Sequence, residues 1–499
     1  MSNTQKIEDC KNALRSATTY REWRAIALEL DHLEGHEEWK LNKESDDYNY
    51  KLIEKRLAQL RKHREENDIP QMIFHLREGL HRNHGNITNP KLYSQTHVGT
   101  KHLIEEYIRE VAGLLDYLCD NEFEAFPFPE KIRFFDECSR SFGSSALLLS
   151  GGAMLGLFHI GVIKALDEHD LIPGVVSGSS VGAVMAGALG TFSNLKDLYD
   201  PEKLYLDIWS KLPLAEILKQ GTIMDAAQME FFLKKNVGEY LTLEEAFKIT
   251  GKHLNVTVSP AIENHATKLL NHLNAPHLLV WSAIMASCAV PGIFPPVQLM
   301  AKDQQGNIVP YMADCKWNDG TLTSDLPMKR LAELYNVTHG IVSQVNPHVI
   351  PFISDKVTES GRMGGIKHVI MAEIKTIGKW MIRIVQYVIR EKRITQGLDM
   401  LHDILDQKYM GDITIRMTPN LTNYANMIKN PSHEFFRNLV LEGERATWPK
   451  INMIYHQTQI GQTLEKCVKK LEQSRRFERR SRRTDNTDGT MLVIDSKSA

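Results

Sequence analysis

The sequence predicts an α/β fold flanked by helical regions. Between residues 141 and 350, short apolar runs lead into glycine-rich turns and helical patterns, as in ALLLSGG, GVVSGSS, LNVTVSP and GIVSQVNP. This alternation is typical of strands that are connected by helices in a mainly parallel sheet. Before it, THVGTKHLIEEYIREVAGLLDYLCD has the apolar spacing of an amphipathic helix. We therefore expect a helical N-terminal region at 1–140, an α/β domain at 141–350 and a helical C-terminal extension at 351–472.

The final segment, 473–499, is predicted to be a disordered tail. Its stretch SRRFERRSRRTDNTDG is highly charged and has few apolar residues. Such a composition buries too little apolar surface to offset the entropy lost on ordering.

Composition excludes several classes of protein. The net charge of −2 over 499 residues gives no global attraction to nucleic acid, and the six scattered cysteines form no CxxC pair. A disulfide framework or a structural zinc site is therefore not expected. The N-terminal MSNTQKIEDC lacks the apolar core of a signal peptide, and no run of about 18 uncharged apolar residues predicts a spanning helix. We expect an intracellular protein without a membrane span.

The start of the α/β region predicts a nucleophile elbow. A strand at Ala146–Leu149 enters the turn GGAMLG, a helix runs to about Leu166, and a second strand delivers Ser180 in GSSVG. A serine on a sharp turn between strand and helix is the arrangement of an activated nucleophile. A right-handed crossover brings both turns to the same sheet edge, so N–H groups of the glycine turn can face Ser180 as an oxyanion hole.

The residues alone leave open which group activates Ser180. One candidate is His348, which follows the apolar run GIVSQVNP. The other is Asp319, in the Asp-Gly turn of WNDGTLTSDLP, with Asp314 and Asp325 as nearby alternatives. A carboxylate can accept the serine proton directly if burial raises its pKa toward neutrality.

Four segments resemble the patatin-like phospholipase family: SGGAMLGLFHIGV, GSSVGA, MASCAVPGIFPPV and WNDGTLTSDLP. The resemblance implies a three-layer sandwich around a mainly parallel sheet. It also implies a serine–aspartate dyad of Ser180 and Asp319 that needs neither histidine, metal nor cofactor. The residues that match the family's oxyanion turn are Gly151, Gly152, Ala153 and Gly156.

Further segments, among them TYREWRAIALELDHLEGHEEWK, GDITIRMTPN and GERATWP, resemble the intracellular triacylglycerol lipases within that family. The resemblance implies hydrolysis of long-chain acyl esters of glycerolipids, triacylglycerol first, through an acyl-enzyme. Phospholipase A or lysophospholipid acyltransferase activity is the alternative among enzymes, and a non-catalytic lipid-surface scaffold is the alternative outside them.

The pattern from Ile366 to Arg390 combines an apolar stripe with several basic residues. Such a helix can lie on an anionic lipid surface, although it can equally pack on the catalytic domain with its basic face solvated. The expected partners are a glycerolipid substrate and a lipid surface, with no nucleic acid. The expected location is the cytoplasm, peripherally on a membrane or lipid droplet.

Overall fold

The structure is a computed structural model that describes residues 2–204, 206–220, 222–261, 267–320, 325–346, 410–418 and 420–490. The chain forms two compact units, one of Met1–Leu33 with Ser145–Ile454 and one of Glu34–Ser144 with Tyr455–Ala499. The predicted four-region division of the chain stays a prediction.

Helices and strands are numbered in chain order. The helices are α1 (Asn3–Ser16), α2 (Tyr20–Leu33), α3 (His36–Leu41), α4 (Tyr50–Glu65), α5 (Ile69–Gly79), α6 (His102–Asp120), α7 (Phe128–Phe142), α8 (Leu157–Asp167), α9 (Val181–Thr191), α10 (Leu214–Gln220), α11 (Ala226–Val237), α12 (Leu243–Thr250), α13 (Val280–Ser287), α14 (Met328–Tyr335), α15 (Leu421–Ala425), α16 (His433–Thr447) and α17 (Ile451–Thr490). The strands are β1 (Ser144–Leu149), β2 (Val175–Gly178), β3 (His253–Pro260), β4 (Lys268–Asn271), β5 (Val297–Gln298), β6 (Met300–Lys302), β7 (Ile308–Pro310), β8 (Lys316–Asp319), β9 (Val337–Gln344) and β10 (Ile413–Arg416).

The central sheet confirms the predicted α/β class. Within the described residues it has eight strands, in the order β10-β9-β1-β2-β3-β8-β5, with β4 paired to β3. The β1–β2, β2–β3 and β9–β10 pairs are parallel, and β1 is apolar and buried from Ala146 to Leu149. A strand that helices cover on both faces is expected to be apolar throughout.

An antiparallel extension brings a carboxylate to the end of this sheet. β8 runs against β3, with Asp319 opposite Val258, and β5 pairs with the other edge of β8. Gly320 follows at once, and a Cβ there would lie 2.7 Å from the Thr257 side chain and 2.8 Å from its backbone. The chain can therefore turn away closely against β3 only because residue 320 has no side chain.

Two glycines let α8 and α16 pack backbone against backbone. A Cβ at Gly161 would lie 1.8 Å from the carbonyl oxygen of Val440, and one at Gly443 would lie 2.1 Å from that of Phe158. Close-packed interiors accommodate such added atoms only by moving the backbone. The Lys164–Glu444 ion pair, at 2.8 Å, spans the same two helices.

The second unit has its own apolar core, built from α4 to α7 and the middle of α17. Ile53, Leu76, Leu114, Phe134 and Leu464 are among its buried members. In α6 the spacing of apolar residues predicted an amphipathic helix, and the helix is present with Tyr107, Val111, Leu114 and Leu118 buried.

Two segments differ from what the sequence predicts. Residues Ile413–Arg416 form strand β10 within the expected helical extension, because the three consecutive β-branched residues of ITIR favour a strand and pair in parallel with β9. Helix α17 continues to Thr490, into the segment predicted to be disordered, since its Glu, Arg and Gln residues favour helix locally.

Candidate active site

Ser180 stands at a strained turn between β2 and α9. Its backbone has φ 54° and ψ −126°, a region that non-glycine residues rarely adopt. A Cβ at Gly178 would lie 2.1 Å from the carbonyl oxygen of Gly182, and one at Gly182 would lie 2.0 Å from that of Leu149. Both flanking glycines are therefore required for the close approach of helix and strand. This is the geometry of a nucleophile elbow.

Ser287 supports the elbow from behind, and sequence reasoning did not identify it. The Ser180 N–H donates to Ser287 Oγ at 2.9 Å, and that hydroxyl donates to the Thr257 carbonyl at 2.7 Å. The strained residue is thereby tied through α13 to strand β3. The only signal for Ser287 in the sequence is its position in the MASCAVPG segment.

The glycine turn follows the end of β1 and borders the same cavity as this elbow. Gly152 has φ 157° and ψ 22°, and a Cβ there would lie 2.7 Å from Val345 Cγ2. Ala153 then opens a single 3₁₀ turn, Ala153–Gly156, with φ 50°. Because Gly152 and Ala153 stand at the start of this turn, their N–H groups have no hydrogen-bond acceptor within it. Among the described residues neither donates elsewhere, so both can serve an oxyanion.

The other two residues predicted for the oxyanion turn have different surroundings. The Gly151 N–H donates to Asp325 Oδ1 at 3.0 Å, so a buried side chain uses that donor. Gly156 does not line the cavity, and a Cβ there would lie 2.2 Å from Val181 Cγ2. Gly156 therefore allows close packing of the turn on the elbow helix, and its assignment to the oxyanion turn stays a prediction.

Asp319 ends strand β8 beside the same cavity and is only 3% exposed. The backbone N–H of Asp319 donates to the Ala289 carbonyl at 3.0 Å. This bond holds residue 319 next to the loop that follows α13. The neighbouring Cys288 thiol is buried, and burial together with the charge of Asp319 raises its pKa well above the usual value. Cys288 is therefore a neutral, apolar neighbour of the carboxylate.

Ser180 and Asp319 line one cavity of about 300 Å³, together with Gly151, Gly152 and Ala153. Most of the remaining wall is apolar; it comprises Met154, Leu157, Ile160, Val181, Val184, Met185, Ala188, Phe192, Leu198, Leu204, Leu206, Ile208, Trp209, Met229, Phe232, Val237, Cys288, Val290, Ile293, Phe294, Met427 and Ile428. Asn236 and Asn346 add polar groups. Such a cavity fits an extended apolar ligand with one polar group at the serine.

The loop VPGIFPPV forms part of this wall. Val290, Ile293 and Phe294 line the cavity, and the Phe294 ring stacks on Trp209 with 5.8 Å between centroids. The sequence alone leaves open whether this loop borders an acyl pocket or only caps the sheet. Its side chains prove to be part of the cavity wall.

The alternatives to Asp319 differ from it in where they lie relative to the cavity. Asp314 is exposed and does not line the cavity. Asp325 is buried behind the glycine turn, where it contacts Gly151. His348 and the Ile366–Arg390 stripe lie outside the described residues. Of the carboxylates considered from the sequence, Asp319 is the one that shares the cavity with Ser180.

Comparison with known proteins agrees with this architecture. Residues 147–332 match the patatin-like phospholipase family model, and residues 1–140 match a domain of unknown function, DUF3336. Triacylglycerol lipase ptl3 of Schizosaccharomyces pombe is 34% identical over 458 residues, which cover 89% of this chain and 93% of that protein. The chain belongs to the patatin-like phospholipase family. The resemblance inferred from its motifs is thereby confirmed.

Two further family members are longer than this chain. Triacylglycerol lipase SDP1L of Arabidopsis thaliana is 36% identical over 503 residues, covering 95% of this chain and 60% of that protein. Triacylglycerol lipase 4 of Saccharomyces cerevisiae is 36% identical over 482 residues, covering 91% of this chain and 52% of its own length. The chain thus spans 60% of the length of the first of these relatives and about half of the length of the second.

In the part of the chain that the structure describes, no helix combines the length and apolar character needed to cross a bilayer.

Proposed function

We propose that this protein is a serine lipase that hydrolyses long-chain acyl esters of glycerolipids, with triacylglycerol as its main substrate. The observation that carries the proposal is the shared cavity: Ser180 at a strained elbow, Asp319, and the Gly152 and Ala153 N–H groups, which bind no other described residue, all border one apolar pocket. The family relatives whose names denote triacylglycerol lipases support the choice of substrate.

In the proposed mechanism, Ser180 Oγ attacks the ester carbonyl while Asp319 accepts the hydroxyl proton. The N–H groups of Gly152 and Ala153 stabilise the negative charge that develops on the carbonyl oxygen. The leaving alcohol takes the proton from Asp319 as the acyl-enzyme forms. Water then attacks the acyl-enzyme with Asp319 again as base, which releases the fatty acid and restores Ser180.

The apolar wall supports the proposed preference for long acyl chains. Each methylene that leaves water for such a surface contributes about 0.8 kcal/mol of binding free energy. The chain of the substrate would lie among the side chains of α9, α11 and the Trp209–Phe294 pair. Short esters should reach Ser180 but bind weakly.

An insoluble substrate requires contact with a lipid surface, and α10 supports a peripheral association. Leu214 and Leu218 are 73% and 79% exposed and lie four residues apart on this helix. The segment that carries α10 is closed by one backbone hydrogen bond, in which the Leu212 N–H donates to the Ile223 carbonyl at 3.0 Å. The next residue, Met224, donates its N–H to the carbonyl of the cavity residue Ile293 at 3.0 Å. We propose a cytoplasmic enzyme that docks on a membrane or lipid droplet through these leucines.

The test is acyl release by the purified protein from triacylglycerol, diacylglycerol, phosphatidylcholine and lysophospholipid, with Ser180→Ala as the blank. We expect fatty acid from triacylglycerol above all. Release from phosphatidylcholine alone would identify a phospholipase A, and acyl transfer to lysophospholipid would identify a transferase. Identical signals from wild type and Ser180→Ala on all four lipids would leave the scaffold alternative.

A further inference from the structure

Asp325 has a buried carboxylate that the proposed mechanism does not use. It is 1% exposed and does not line the cavity. Its Oδ1 accepts the Gly151 N–H at 3.0 Å, and its Oδ2 accepts from Asn346 Nδ2 at 3.4 Å. Its backbone carbonyl accepts the Ser179 hydroxyl at 3.0 Å. One residue therefore contacts the glycine turn, the elbow and the segment after β9.

Other hydrogen bonds also hold the turn, but none of those given for the described residues uses the Gly151 N–H. Ser150 Oγ accepts the Val345 N–H at 2.9 Å and donates to the Gly151 carbonyl at 3.1 Å, and the Met154 N–H donates to the Met427 carbonyl at 3.1 Å. The Gly151 N–H is the donor immediately before the N–H groups of Gly152 and Ala153, which bind no acceptor in the described part of the chain. A shift of Gly151 would therefore change the direction in which both of those groups point.

We propose that Asp325 is a positioning residue that sets the oxyanion turn against the nucleophile elbow. The inference rests on the proposed acyl-transfer function. Its side chain anchors Gly151, and its carbonyl anchors Ser179, the residue before the nucleophile. The two halves of the site, which belong to different βα turns, are thereby held at one separation.

The charge of this carboxylate adds a pH dependence. Burial raises the pKa of Asp325 to about 7, and the nearby charge of Asp319 adds to the rise, while bonds from Gly151, Asn346 and Gln344 oppose it. The ionised form accepts the stronger, charge-assisted bond from Gly151. The turn is therefore held most firmly above pH 7 and less firmly below it.

The buried histidine His159, which contacts Ser150 next to the glycine turn, does not contribute in that range. His159 hydrogen-bonds with the Ser150 carbonyl at 3.0 Å and with Ser343 Oγ at 2.7 Å. Burial lowers its pKa to about 4, so it is neutral near pH 7. Of these two groups, Asp325 is therefore the one that changes its charge near pH 7.

The experiment compares Asp325→Leu and Asp325→Asn on a soluble short-chain ester. Leucine removes the acceptor, and we expect kcat to fall about 100-fold with little change in KM, the size of losing one oxyanion donor. Asparagine keeps an oxygen for the Gly151 N–H and should restore most of kcat. The pH dependence that follows ionisation of Asp325 near pH 7 should disappear in this variant, because asparagine stays neutral at every pH of the assay.

Asp412→Leu is the matched control. Asp412 also accepts a backbone N–H, that of Gly340 at 2.7 Å, but lies between β9 and β10 and away from the cavity. This variant should keep the wild-type pH profile and kcat.

A second readout does not depend on turnover. Hydrogen exchange of the peptide that contains Gly151 to Ala153 should be at least about tenfold faster in Asp325→Leu than in wild type, and nearly unchanged in Asp325→Asn. Equal exchange in all three proteins, or an Asp325→Leu enzyme with wild-type kcat, would overturn the inference. Absence of any Ser180-dependent esterase activity in wild type would instead overturn the proposed function, and the exchange result would still decide the role of Asp325.

Discussion

Gly152→Ala is the substitution for which the structure makes the sharpest prediction. The added methyl would lie 2.7 Å from Val345 Cγ2 and 3.0 Å from the Val345 carbonyl oxygen. Val345 cannot easily retreat, because it is fully buried and its N–H is bound to Ser150 Oγ. The glycine turn must therefore move, and it carries the N–H groups that we assign to the oxyanion.

Two contributions set the expected size of the effects of Gly152→Ala on stability and on kcat. A side chain at φ 157° and ψ 22° costs about 1–3 kcal/mol of backbone strain, which lowers folding stability. Loss of one oxyanion donor costs about 100-fold or more in kcat. We expect kcat on a short-chain ester to fall by about that factor, with KM nearly constant because the donor acts on the transition state.

The assay pairs steady-state kinetics on a soluble short-chain ester with thermal unfolding of the same preparations. Ala153→Gly is the matched control, since glycine accepts the φ of 50° without strain and keeps the N–H group. Its kcat should stay within a few-fold of wild type. A folded Gly152→Ala variant with wild-type kcat would refute the reasoning and would mean that this glycine only packs against Val345.

Three further outcomes are expected. Ser180→Ala and Asp319→Asn should each remove nearly all esterase activity, and the double variant should be no worse than either, because the pair acts as a unit. Gly443→Ala should lower the unfolding temperature by several degrees, since the methyl meets the α8 backbone at 2.1 Å and overpacking costs about 1–3 kcal/mol. Leu214→Ser combined with Leu218→Ser should weaken co-sedimentation with lipid vesicles while short-chain ester turnover persists, because each leucine that leaves water contributes about 1.5–3 kcal/mol.

Each of these outcomes has a control. An Asp319→Asn variant that retains most activity would show that another group accepts the serine proton. Gly113→Ala, where the methyl meets nothing within 4 Å, should not lower the unfolding temperature, and equal losses in both glycine variants would contradict the packing argument. Leu273→Ser, at a leucine that is 55% exposed, should leave vesicle binding intact; equal binding by the α10 variant would exclude α10 as the docking surface.

The sequence by itself determined the α/β class and the two turns of the site. Both are local features: β-branched runs favour strands, and the glycines of GSSVG and SGGAMLG allow turns that other residues resist. Pairing Ser180 with Asp319 needed the family resemblance as well, because the two residues lie far apart in the chain and no periodic signal links them.

Only the tertiary structure decided how the chain supports those turns. Gly151 binds Asp325 across 174 positions, and Ser180 binds Ser287 across 107, so neither bond has a local signature. Strand β10 likewise forms because β9 offers an unpaired edge. Short turns depend on the conformational freedom of a few adjacent residues. Whether an N–H group stays available for an oxyanion depends instead on which acceptors distant segments bring next to it.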